Sequence, residues 1–395
     1  MKLGIVGAGV AGLAAALACT RASVAYDLLD RATQPLEGGV ALTLWPNALR
    51  ALRDLGVDVR GAGWAAIEEG DIADMHGRAL YRLPLSWMEA RFGFLPVCVR
   101  RSDLLRQMHN AAGSPRIELC EVRRLSVSAG RVEVETDAGL RSYDGLLLAD
   151  GIRGTARQSL VQARTRPTHY AAWRGIAHGV DVGRRMREIW GRGFRFGYAA
   201  MGAGDVYWFA TINRSRLGRA GGAPEAWHIL TTLAAESPSE VARLMAATPT
   251  EGVYAHAIDD LVPGLPLAVG RIALLGDTAH AITPNLGFGG GLALEDGAAL
   301  MRALLAHRGA EEPGALAAAF QAYAEVRRRR VAWMAQVTRC LGDVMQWEGK
   351  AAAFARDTVF RWMAPLGDRL VWTWVLGGLS VTGPEAAASD VRQPK

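Results

Sequence analysis

Lysine is almost missing from this chain of 395 residues: it stands only at positions 2, 350 and 395, and the net charge of +6 is carried by arginine. The basic excess is scattered, apart from the run Arg327 to Arg330, which falls in a helical pattern and reads as a solvated helix face. No zinc-ligand spacing, P-loop or RNA-binding signature accompanies it, so neither a metal nor a nucleic-acid partner is expected. A positive surface of this kind still favours anionic small molecules. Cysteine is scarce as well. Cys19, Cys98, Cys120 and Cys340 form no CxxC pair and no dense framework, and with no secretory leader this fits a reducing cytoplasm. No uninterrupted apolar run reaches the roughly 18–20 residues that cross a bilayer; the best stretch, 370–381, is too short. Internal repeats and low-complexity segments are absent.

What is present is glycine, in two stretches far apart. Residues 4–12 read GIVGAGVAG. Leu3, Ile5 and Val6 make a short buried strand, and Gly7, Gly9 and Gly12 then fall at GxGxxG spacing. Gly7 permits a tight turn, Gly9 lets a pyrophosphate approach the backbone, and Gly12 lets the following helix pack on the sheet. That helix is written in LAAALACT at 13–20, and its N-terminus offers unpaired N–H groups to phosphates. A second strand at 24–30 ends in Asp30, where an acid that bonds ribose hydroxyls is expected. These residues predict a dinucleotide site without separating FAD from NAD. The second stretch, GDTAHAITPNLGFGGGLALED at 276–296, has the character of a loop for the other end of a flavin.

Between them the texture changes. Residues 38–56 read as a loop and an amphipathic helix with Asn47 near its N-cap, and 95–112 as a strand and a helix starting near Ser102 or Asp103. Residues 117–151 alternate like a small sheet with a hairpin at Asp137 to Gly139, and end in the buried strand GLLLAD. Residues 194–213 predict two aromatic-rich strands around a glycine turn. RIALL at 271–275 is another buried strand, and beyond 292 the pattern is helical, with a turn at Glu311 to Gly314. The expected class is α/β. A discontinuous Rossmann-type (GR2-like) FAD-binding domain takes 1–70, 95–165 and 270–330. An inserted mixed β-sheet substrate domain takes 71–94 and 166–269, and C-terminal helices take 331–395.

Three ordered motifs, GAGVAG at 7–12, DGIRGTAR at 150–157 and GDTAHAITPNLGFGGG at 276–291, give the chain its resemblance to a family. WPNAL at 45–49, RSDL at 101–104 and AWRG at 172–175 support it. Over residues 1 to about 330 it resembles the single-component FAD-dependent aromatic monooxygenases of the p-hydroxybenzoate hydroxylase type, in their salicylate and urate hydroxylase branch. The resemblance implies bound FAD, NADH or NADPH as a transient reductant, O2, and a flavin C4a-hydroperoxide that an electron-rich aromatic substrate attacks.

Residue by residue, the resemblance puts Gly7, Gly9, Ala11 and Gly12 at the pyrophosphate, and Asp30 with Arg31 at the adenosine end. Arg101 falls near the phosphates and Asp277 at the ribityl hydroxyls. After Pro284, the N–H groups of Gly287, Gly289 and Gly290 fall at the flavin N1–C2=O edge, and Asp150 with Gly151 at both nucleotides. Two positions depart from the pattern: Phe288, expected to alter the flavin edge, and Gly154, which weakens the case for the nicotinamide contact and leaves room for an FAD oxidase or an enzyme fed by a separate reductase. Arg195 and Tyr207 are the expected substrate-positioning residues, the arginine for an anionic or carbonyl group and the tyrosine for a hydroxyl. Arg174 is expected to be structural and His280 to be buried and bonded to backbone. The Trp-, Met- and Phe-rich tail from 333 suits packing over the site or a homodimer contact, with peripheral membrane contact as the alternative.

Overall fold

A computed structural model describes residues 1–60, 62, 64–128, 130–217, 223–308 and 314–377. The expected turn at 311–314 falls largely outside the described residues, as does the tail beyond 377.

The strand Lys2–Val6 is the centre of a six-stranded sheet. Its neighbours are Ala25–Asp30, followed outward by Ile117–Leu119, and on the other side Gly145–Leu148, followed by Ile272–Leu274 and Ala268–Val269. All pairings are parallel except the outermost pair, 268–269 with 272–274. Ile5 sits between Leu28 and Leu147, all of them buried, which is why these strands read as continuous apolar runs. The helix Val10–Ala22 packs on this sheet and against Gly289–Ala306. Glycine makes that close approach possible: a Cβ on Gly297 would lie 2.6 Å from the Cβ of Ala14. The hairpin of Arg131–Thr136 with Gly139–Tyr143 belongs to a separate three-stranded antiparallel sheet.

A seven-stranded mixed sheet forms the other half. In order across the sheet its strands are Tyr254–Leu261, Thr165–His178, Asp205–Asn213, Phe194–Gly202, Arg185–Trp190, Glu69–Asp74 and Ala79–Arg82. The two aromatic strands around the glycine turn occur as expected. Their register brings Arg195 opposite Thr211, Gly197 opposite Phe209 and Ala199 opposite Tyr207. Since alternate residues share a face, one face carries Ala172, Arg174, Glu188, Arg195, Tyr207, Phe209, Thr211 and His256, the residues that matter below.

Local starts differ in one respect from expectation. The helix Pro46–Asp54 begins on Trp45, with Pro46 in its first turn, where a missing N–H costs nothing. Asn47 therefore lies inside the helix, buried, and its Nδ2 donates to Glu295 Oε1 at 2.7 Å.

Two long helices, Ala315–Met345 and Lys350–Leu376, complete the described chain. The second turns Phe360 onto Trp190 and Trp372 onto Trp45, while Phe354, Trp362, Met363, Leu366 and Trp374 face outward. Among the described residues no helix is long and apolar enough to cross a membrane.

Candidate active site

The first glycine loop is shaped by its own packing. Gly7 has φ +99°, and a Cβ there would meet the Ala149 carbonyl oxygen at 2.3 Å. A Cβ on Gly12 would lie 1.7 Å from the Gly7 oxygen. Gly9 is different: apart from an Arg101 nitrogen at 3.5 Å, nothing in the protein opposes a side chain, so its bareness leaves space for something else. That space is a cleft of about 350 Å³ lined by Gly7, Gly9, Ala11, Asp30, Arg31, Arg101, Asp150, Asp277, Gly289 and Gly290. Ten of the expected cofactor residues thus meet in one cleft. Gly12 does not line it and serves the turn instead. Asp30 closes the loop from the end of its strand, accepting the Ala8 N–H at 2.6 Å and the Ala32 N–H at 2.7 Å. Arg101 reaches across, its Nη1 on the Gly38 carbonyl at 3.1 Å.

Asp277 stands where this cleft meets a second cavity, since Leu42, Asp277, Gly289 and Gly290 line both. Its side chain is open to the cleft yet walled by protein. That enclosure raises its carboxyl above the usual range, against the opposing pull of His280 and Arg101. Gly289 and Gly290 begin an 18-residue helix, so their N–H groups are free for a ligand, and a Cβ on Gly289 would meet nothing. Gly287 does not behave as expected. Its N–H donates to Pro284 O at 2.9 Å and closes a short 3₁₀ turn, so it is spent within the loop. Pro284 and Gly287 line the second cavity rather than the first. Phe288 is fully buried and stacked on Trp45 with ring centroids 5.8 Å apart, and so it shapes the core beneath the loop, not the flavin edge.

The middle motif is tied to this corner by Thr278, which the sequence did not single out. Its hydroxyl donates to Asp150 Oδ1 at 3.1 Å and accepts the Gly151 N–H at 2.8 Å. Arg157 clamps the Thr278 carbonyl at 2.7 Å. Burial raises the Asp150 carboxyl, partly opposed by its Thr278 hydrogen bond. A Cβ on Gly154 would lie 2.0 Å from the Asp150 Cγ, so glycine at 154 permits the position that Asp150 holds.

Behind the loop lies a buried charge network. His280 Nε2 is 2.6 Å from Asp296 Oδ2, so its partner is a carboxylate, not the expected backbone group. Asp296 also accepts Arg327 Nε at 2.7 Å and the Gly276 N–H at 2.8 Å. Arg327 Nη1 bonds Glu295 at 2.6 Å, and Arg330 joins Glu295 at 3.1 Å. The basic run is therefore no solvated face at these two positions: Arg327 is fully buried and Arg330 largely so, while Arg328 and Arg329 are exposed. An arginine in a helical pattern carries no mark of which side it faces. The carboxylates of a helix 30 residues away decided it.

The second cavity, of about 450 Å³, lies between the seven-stranded sheet and the loop at 282–290. Arg195 and Tyr207 both line it. Arg195 is 1% exposed, and four of its N–H bonds have protein partners: Thr211 Oγ1 at 3.2 Å, Glu188 Oε1 at 2.9 Å, Met345 Sδ at 2.9 Å and Asn285 Oδ1 at 2.6 Å. Asn285 in turn donates to Tyr170, Thr283 and the Thr338 carbonyl, so Arg195 fastens the glycine loop to the sheet. Tyr207 has no hydrogen-bond partner among the described residues, and burial raises its hydroxyl pKa. Arg174, expected to be structural, also has no hydrogen bond or ion pair among the described residues; it lines the same cavity, near enough to Asp277, Tyr207 and His256 for its charge to act on each. Nearby His256 is pushed down to about 4 by burial, with Arg174 and Arg153 adding repulsion, so it is neutral at neutral pH. Glu188 and His256 carried no motif and were invisible in the sequence; Asn285 lies within the second glycine motif but was not singled out. Among the described residues no cluster of His, Cys, Asp or Glu could hold a metal.

Fold and cleft define a Rossmann-type dinucleotide-binding protein whose cofactor cleft opens into a separate cavity for a second molecule. No protein-family model matches the chain. It is 32% identical over 369 residues to the aurachin C monooxygenase/isomerase of Stigmatella aurantiaca, covering 91% of this chain and 94% of that one. It is 29% identical to the 2-heptyl-3-hydroxy-4(1H)-quinolone synthase of Pseudomonas aeruginosa, with the same coverage of each. Among solved structures, Klebsiella pneumoniae HpxO complexed with FAD and uric acid superposes with a TM-score of 0.85 at 26% identity, over 97% of each chain. The chain belongs to the FAD-dependent aromatic monooxygenases.

Proposed function

We propose that this enzyme hydroxylates a flat aromatic or heteroaromatic small molecule, using NADH or NADPH and O2, and that quinolone-type rings are the first to test. The observation that carries the reading is the junction at Asp277, where a glycine-lined nucleotide cleft opens into a second cavity whose walls are mostly apolar but also carry Arg174, Glu188, Arg195, Tyr207 and His256. The similarity to the 2-heptyl-3-hydroxy-4(1H)-quinolone synthase spans nine-tenths of the chain, which supports that class of ring.

FAD fits the residues present. Asp30 would hold the adenosine ribose, with Arg31 beside it. The backbone at Gly7 to Ala11 and Arg101 would hold the phosphates, Asp277 the ribityl chain, and the N–H groups of Gly289 and Gly290 the ring edge where negative charge collects on reduction. Bound there, FAD would pass electrons from NAD(P)H to O2 so that one oxygen atom enters the substrate ring and the other leaves as water. The chain's own part is to bind, orient and keep water out. Tyr207 would orient a ring hydroxyl or carbonyl through its unpartnered OH, and Arg195 positions the loop and Glu188 rather than gripping substrate with a free fork. Phe209, Leu286, Ile282 and Trp372 give the cavity dry walls. Arg174, near Asp277, would counter negative charge at the cofactor edge.

The test is anaerobic addition of NADH or NADPH to the FAD-loaded enzyme, with and without a quinolone, followed by ¹⁸O2. Bleaching of the flavin band that substrate accelerates, and one labelled oxygen in the product, is the expected result. A flavin that binds but is never reduced by either nucleotide would shift the assignment to an enzyme fed by a separate reductase.

A further inference from the structure

The cavity floor can be read as a row across five strands. Register places Arg174, Phe209, Gly197, Glu188 and Ile72 side by side on one face. At about 4.8 Å per strand, Arg174 and Glu188 are about 14 Å apart. The cation end lies beside Asp277, at the cofactor junction. Between the two ends the floor is apolar: a Cβ on Gly197 would meet the Phe209 ring at 2.3 Å, so that ring lies over the bare glycine. Beyond Glu188 the walls are Ile72, Tyr81, Leu83, Met186 and Trp372.

Glu188 is the unusual group in this row. Its Oε1 takes Arg195 Nη1 at 2.9 Å and Trp190 Nε1 at 2.8 Å. Its Oε2 has no donor among the described residues, and Glu188 is one of the residues that line the cavity. A carboxylate oxygen left open in a mostly apolar cavity calls for a hydrogen-bond donor from whatever fills the space.

Resting on the hydroxylase reading above, we propose that Glu188 selects the substrate. The cavity takes an aromatic heterocycle with an N–H or O–H donor directed at Glu188 and an apolar substituent directed at the Ile72 to Trp372 end. The ring itself lies over Phe209 and Gly197, which carries its reacting edge toward the junction.

The experiment titrates the FAD-loaded enzyme and follows the flavin absorbance on binding. The ligands are 2-heptyl-4(1H)-quinolone and its N-methyl derivative. The quinolone is expected to bind, and the N-methyl compound at least about tenfold more weakly, as for loss of a hydrogen bond to a charged group. Glu188→Gln should weaken quinolone binding and shrink the gap between the N–H and N-methyl ligands while FAD stays bound. Should that variant fail to fold because Arg195 is left as a buried unpaired charge, the comparison of the two quinolones on the unaltered enzyme decides the matter alone. An N-methyl compound binding as tightly as its parent overturns the assignment of Glu188. Loss of FAD from the unaltered enzyme, or failure of either nucleotide to reduce the flavin, counts instead against the hydroxylase reading.

Discussion

At the scale of single residues, Asp277 has the most consequential position, because it faces both the nucleotide cleft and the second cavity. Asp277→Ala removes an acceptor at the junction but no buried partner, since no hydrogen bond to its side chain exists among the described residues. The expected outcome is weaker FAD retention with a largely unchanged fold, measured as the flavin-to-protein absorbance ratio after dialysis beside a circular dichroism spectrum. Full occupancy would remove Asp277 from the cofactor site. Asp277 was legible in the sequence because it sits in a motif. Glu188 was not: RMREIW is an ordinary strand segment, and its carboxylate gains meaning only when Arg195, seven residues on and one strand over, takes one of its oxygens. Arg195 was found, but the sequence could not say that its fork is filled by Thr211, Asn285, Glu188 and Met345.

At the scale of elements, the helices Gly289–Ala306 and Ala315–Met345 are joined by buried charge rather than by apolar contact alone. Burial would push Glu295 upward, but Arg330 and Arg327 outweigh it and hold the carboxyl at about 2, below its ordinary 4.5. A carboxyl depressed in the folded state adds stability that is fully present above its unfolded pKa and is lost as pH falls through the folded one. The enzyme should therefore lose stability as pH drops from about 4.5 toward 2, by roughly 2–4 kcal/mol from this group, seen as a falling urea midpoint. Arg327→Met should cost about 3–5 kcal/mol at neutral pH, since it removes the buried cation that Glu295 and Asp296 share and leaves them only Arg330 and His280, and it should flatten that acid dependence. An acid profile as steep as that of the parent protein would show that the network is not its source. The helices themselves were readable from periodicity; the face each turned inward at Arg327 was not.

At the scale of the whole molecule, the cavity exists only because distant parts of the chain enclose it: the seven-stranded sheet, the segment 41–45, Ile152 with Arg153, the loop 282–290, Met345 and the end of the helix Lys350–Leu376. Trp372 is the contribution of that helix. It packs tilted against Trp45 with ring centroids 5.1 Å apart and donates to the Tyr81 hydroxyl at 2.9 Å, closing that end. Trp372→Ala should leave FAD bound but admit water, so that NAD(P)H is consumed several-fold faster than product forms; oxygen uptake compared with product yield measures it, and unchanged coupling would show that the helix does not seal the site. The sequence by itself determined the nucleotide half of this protein. Its glycine spacing, strand ends and acids act through backbone geometry over short segments, and such constraints survive as motifs. The tertiary structure alone decided the substrate half, the buried pairs at Glu295, Asp296 and Arg327, and the free groups at Arg174 and Glu188. Those depend on strand register and helix packing between residues tens to hundreds of positions apart, and which side chain is satisfied and which is left open to a ligand is settled only when the partners meet.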